Sequence, residues 1–153
     1  MNVQALGPLS VHPDVDEWLI SEPVAVPYFD GLLMTFALMG FEDIDESRVE
    51  SAVSVFLSLT AEDRHADAPD VFRNYRDSID HYEDDLDLNI DSPGKVWDFV
   101  QPTEILVKSG FREETVYVYI LAECDWEIEH GLQLIYKDGS KLVKVSGQGE
   151  GHP

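Results

Sequence analysis

One cysteine, ten basic residues and no long apolar run are all that this chain carries of three common resources. Cys124, standing alone, cannot close an internal disulfide. With an N-terminus (MNVQALGPLSVHPDVDEW) that has neither a basic start nor an apolar stretch of signal length, it points to a reducing cytoplasm. The longest apolar run, LLMTFALMG at 32–40, falls well short of the ~18 residues that a membrane span requires. No second cysteine, no HExxH, no GxSxG and no phosphate-cradling glycine loop occurs, and this removes the support for zinc hydrolysis, nucleophilic hydrolysis and nucleotide chemistry.

What is present is acid. Thirty-one Asp and Glu residues against ten Lys and Arg give a net charge of −21. Such a field repels nucleic acid and anionic membranes and attracts basic partners. The acids crowd one segment, with Asp77, Asp80 and Glu83 leading into Asp84, Asp85, Asp87 and Asp91, whereas Lys137, Lys141 and Lys144 fall near the end. Salt adaptation of the whole surface is the plainer explanation of the same count.

At 153 residues the chain fits a single domain, one that buries roughly 70% of the surface its unfolded form exposes. Residues 1–13, with two prolines and little periodicity, read as an irregular lead-in. The Asp30-Gly31 pair between 23–28 and 32–39 marks a hairpin, and Pro23 and Pro27 place its first strand at an edge. Val49, Ala52, Val53, Phe56 and Leu57 recur at helical spacing and predict a helix over 47–59, capped by Asp45 or Asp43. Thr60 and Asp63 open a short helix ending near Asp67, and Pro69 opens another, striped by Val71, Phe72, Tyr75, Ile79 and Tyr82. Asp91-Ser92-Pro93 starts a helical turn or two around Val96, Trp97 and Val100, ending before Pro102. Strands are predicted over 104–108, 115–123, 132–136 and 141–145, with Asp138-Gly139 in the last turn. The class is therefore α+β: a mainly meander antiparallel sheet with two to four helices on one face.

Three places could carry chemistry. Asp85, Asp87, Asn89 and Asp91 sit at every second position, as in the first half of a calcium loop. Ile90 and Val96 stand where that loop needs glycine and glutamate, so the run reads as the wet face of a half-buried strand whose other face is Leu86, Leu88 and Ile90. No metal or cofactor is assigned. The segment CDWEIEHG at 124–131 is dense in reactive types. An extended backbone there would put Cys124, Trp126, Ile128 and His130 on a packing face and Glu123, Asp125, Glu127 and Glu129 on a solvated one. The acids around Cys124 raise its thiol pKa, against nucleophilic use. Acid–base or metal chemistry by Glu127, Glu129, His130 and His152 is the enzymatic alternative.

The same residues carry a resemblance. VYVYILAECDWEIEHGLQLIYKDGSKLVKV followed by GEGH resembles a bacterial family of unknown function whose members end in a CDWExEHGLQ strand, an Asp-Gly turn and a terminal acid-Gly-His. Here those positions are Trp126, His130, Gly131, Asp138, Gly139 and His152, with Glu150 where the family carries aspartate. Agreement extends over about residues 17–152, through Trp18, Glu22-Pro23, Phe56–Thr60 and Val96–Glu104. Small acidic proteins of this kind resemble the immunity proteins of toxin systems. That likeness of type implies a non-enzymatic protein that neutralises a basic partner; the concentration of acidic charge, not the resemblance, makes Asp84, Asp85, Asp87, Asp91, Glu127 and Glu129 the residues expected to meet it.

Overall fold

A computed structural model of the chain describes residues 1–40, 45–82, 88–109 and 114–151. β1 (Leu9–Val11), β2 (Leu19–Ser21), β3 (Val24–Val26), β4 (Leu32–Met34) and β5 (Phe36–Met39) come first, then α1 (Glu46–Ser58) and α2 (Ala61–Tyr82). β6 (Val100–Ser109), β7 (Val116–Cys124), β8 (Leu132–Lys137) and β9 (Lys141–Ser146) follow, and Gln4–Leu6, Pro27–Phe29 and Pro93–Phe99 are 3-10 helices. The class is α+β, with a large sheet in the order β1-β2-β5-β6-β7-β8-β9 and a separate β3–β4 hairpin.

The four C-terminal strands form the expected meander, because each turn is short and joins neighbours. The sheet as a whole is mixed, since β5 pairs β6 in parallel, Phe36 opposite Ile105. Both α-helices lie in that connection. They return the chain to the end of the sheet from which β5 set out, as a parallel crossover requires. The lead-in is not irregular: Val3 and Leu6 are buried around the first 3-10 turn, and β1 pairs with β2. A three-residue strand is too short to show a period in sequence.

Local chemistry explains the helices. Asp45 Oδ1 accepts from Ser47 N at 2.9 Å and caps α1, while Asp63 Oδ2 accepts from Thr60 N at 2.8 Å and opens α2. The second start expected at Pro69 does not occur, for α2 runs through it. Pro69 is exposed, and the buried Ala68, Val71 and Tyr75 hold the helix to the core across the missing hydrogen bond. Likewise β6 begins at Val100 and carries Pro102 within it, where the register shifts between Pro102 and Glu104.

Alternation along β7 divides the packing. Val116, Val118, Ile120, Ala122 and Cys124 join one core with Val53 and Phe56 of α1 and Val71 and Tyr75 of α2. Tyr117, Tyr119 and Ile135 form a second cluster with Leu106, Leu121 and Val143. Among the described residues no helix is long and apolar enough to cross a membrane.

Candidate functional site

The CDWEIEHG segment is a turn, not a strand. β7 stops at Cys124 and β8 starts at Leu132, and the residues between fold back on themselves. Asp125 N donates to Phe99 O at 3.1 Å, and Gly131 N donates to Glu127 O at 3.0 Å. Trp126 is the anchor: it is buried, its Nε1 donates to Asn74 Oδ1 at 2.9 Å, and its ring meets Tyr75 edge-on at 5.7 Å. The alternation expected from the sequence therefore holds only as far as Trp126. Ile128 is 85% exposed and His130 is exposed, because the turn carries them away from the core.

Gly131 closes the turn for a steric reason. Its φ is +64°, and a Cβ there would lie 2.8 Å from Ala122 O and 2.8 Å from Gln148 Nε2. The C-terminal tail occupies that space. Gln148 N donates to His130 O at 2.9 Å, Gln148 Nε2 donates to Ala122 O at 2.8 Å, and Gln133 Nε2 donates to Glu150 O.

Between the turn, the tail and α2 lies an open cleft of about 330 Å³, lined by Asn74, Ser78, Glu127, His130, Gln148 and Glu150 among others. A second hollow of about 240 Å³ continues from Asn74 along α2 and β9, past Asp70, Arg73, Asp77 and Lys144. In the first, His130 Nδ1 stands 3.3 Å from Glu127 Oε1. Cys124 beside it is buried, and burial first, with Glu127 and Asp125 adding to it, pushes the thiol up to about 11, against nucleophilic use. Among the described residues the arrangement offers carboxylates and fixed amides to a cationic or hydrogen-bonding group, and no activated nucleophile.

The other expected residues scatter. Glu129 is exposed on the turn. Asp138 and Gly139 lie at the β8–β9 hairpin, where Asp138 adopts φ +52° and donates its N–H to Val116 O at 2.8 Å. Asp91 is exposed and bound to Lys95 at 3.0 Å, whose ammonium holds the carboxyl below its usual range. Asp84, Asp85, Asp87 and His152 lie outside the described residues. Residues 88–90 form no strand; Ile90 is buried in the core, and its N–H donates to Tyr75 Oη at 2.9 Å. Among the described residues no group of three His, Cys, Asp or Glu could hold a metal ion.

Sequence reasoning missed Asn74, Ser78 and Gln148. Asn74 and Ser78 are one turn apart on α2, a polar stripe beside Tyr75 that the spacing already contained. It also missed a buried polar group. Tyr28 and Tyr136 hydroxyls lie 3.0 and 2.6 Å from Asp67 Oδ2 and 2.9 Å from each other.

The chain matches the family described as domain of unknown function DUF6985 over residues 6–153, and it belongs to that family. Neither the curated proteins nor the solved structures return a match.

Proposed function

We propose that this DUF6985 chain is a non-enzymatic binding protein of the cytoplasm that holds a basic protein, as an immunity protein holds a bacterial toxin. The observation that carries this reading is the net charge of −21. It is joined by a pinned turn that presents Glu127 and Glu129 beside a cleft edged by Glu150, with Asp77 in the adjoining hollow along α2. Acidic complementarity of this size speeds encounter and fixes register more than it sets affinity. Asp91 and the acids at 84, 85 and 87 extend the same charge along the sequence.

The test is co-purification with the basic proteins encoded beside its gene at low salt, followed by a salt titration of any complex. Affinity should fall steadily with ionic strength, and Glu127→Gln with Glu129→Gln should weaken it further. No complex with any such protein, or one indifferent to salt, sinks the reading.

One contact favours a second reading, an acid–base or metal-dependent enzyme using Glu127, Glu129, His130 and His152. The Glu127–His130 pair sits where tail and turn meet. That reading requires a stoichiometric metal ion in the purified protein, or a pH-dependent reaction that Glu127→Gln abolishes.

A further inference from the structure

The sheet aligns Lys108 with Lys137 and Lys141, two cations at the ends of one hairpin. Strand register sets Lys108 opposite Tyr117, Tyr117 opposite Lys137, and Lys137 opposite Lys141. Residues paired directly across strands project from the same face, so three of the chain's ten basic residues share one row. Arg48, Arg64, Arg73 and Lys95 each hold a carboxylate. Lys137 and Lys141 are exposed and make no ion pair with any described carboxylate. Like charges directly opposite one another destabilise a strand pair, and in a chain with 31 acids an acid at either position would have relieved it.

Space lies beside the pair. A hollow of about 410 Å³ is lined by Tyr117, Lys137, Lys141, Leu142 and Val143. The register slips opposite Val143, between Ile135 and Tyr136, and such a bulge re-aims side chains. Among the described residues of the adjoining turns, the acids Asp138 and Glu114 line a different crevice with Arg48 and Ser51. Lys108 completes the row, its ammonium 4.3 Å from the Tyr119 ring centroid.

The geometry points to a site for a small organic anion, its carboxylate, sulfonate or phosphate between the Lys137 and Lys141 ammonium groups and its apolar body against Leu142 and Val143. The site is separate from the cleft at the β7–β8 turn and does not depend on a basic partner. The site works against the field of the molecule, since a net charge of −21 disfavours anions over the surface as a whole.

Fluorescence titration of the full chain with 1-anilinonaphthalene-8-sulfonate, an aromatic sulfonate, tests this. The native protein should bind one equivalent saturably. Lys137→Ala with Lys141→Ala should weaken binding about tenfold or more, as should Lys141→Glu alone. Lys141→Glu should also raise the urea midpoint, because an opposite-charge pair replaces a like-charge one; binding lost with stability gained cannot be lost folding. Lys95→Ala, and Leu33→Ser at an apolar side chain exposed on β4 away from the hollow, should bind as the native protein does. No saturable binding, equal affinity in Lys141→Glu, or loss of binding in Leu33→Ser would overturn the site.

Discussion

Gly139 is the residue at which a single methyl group should do most damage. Its φ is +78°, and a Cβ there would lie 2.0 Å from Ala52 O and 3.1 Å from Phe56 N, both on α1. The β8–β9 hairpin docks on α1 through the bare backbone of this glycine. Gly139→Ala should therefore destabilise by about 2–4 kcal/mol in urea unfolding, whereas Gly94→Ala, with open space around it, should stay within about 0.5 kcal/mol. The sequence shows Asp138-Gly139 as a turn because turn chemistry is local. It cannot show what the turn touches, since Ala52 lies in another element. Cys124 gives a second test. With its thiol pushed up to about 11, the native protein at pH 8 should react with Ellman's reagent about a hundredfold more slowly than the urea-unfolded chain. A fast native reaction would restore the thiol as a candidate nucleophile.

Elements are joined by groups that no single element predicts. Asp67 on α2 meets Tyr28, in the 3-10 turn after β3, and Tyr136 on β8. Burial raises the Asp67 carboxyl above its usual range, against the lowering effect of the two tyrosine hydrogen bonds. Burial also pushes both tyrosine hydroxyls up, so they stay protonated donors. A raised folded pKa means that the folded state holds the proton more tightly. The stability this contributes is fully present below the unfolded value near ~3.9 and is lost as pH rises through the folded value. Asp67→Asn keeps an acceptor but does not titrate. The stability difference between native protein and Asp67→Asn should thus fall as pH rises from about 4 and then level off, read from urea midpoints. A flat difference would place the carboxyl in solvent. Asp67→Ala, which does not titrate either, should cost about 1–3 kcal/mol near pH 4 and less as pH rises, because buried hydroxyls lose their acceptor. The limits of the sequence lie at this scale too. β6 to β9 are legible because alternation and turns are local signals. The parallel β5–β6 pairing is not, because it depends on where two helices deliver the chain, and α2 reads as two helices because Pro69 resembles a start when the apolar contacts beneath it are unseen.

At the scale of the whole molecule, charge was legible and shape was not. The count of 31 acids against ten bases is a fact of composition, but the cleft needs α2, the β7–β8 turn and the tail brought together, over 70 residues of separation. Net charge also acts on folding itself, since self-repulsion of −21 opposes the compact state. Salt therefore has two effects of opposite sign. Between 0.01 M and 1 M NaCl the screening length falls from about 30 Å to about 3 Å, which removes most of the long-range repulsion. The melting temperature of the free protein should rise by about 3–6 °C, a stabilisation of about 1–2 kcal/mol for a domain of this size. Over the same range a complex with a basic partner should weaken, because its attraction is the same field seen from outside. Melting curves and binding isotherms on one salt series separate the two explanations of the acidity. Rising stability with falling affinity is the signature of a field used for binding. Rising stability with no salt-sensitive complex would leave the acids as adaptation to a saline interior, and a melting temperature indifferent to salt would show that the carboxylates lie too far apart to repel.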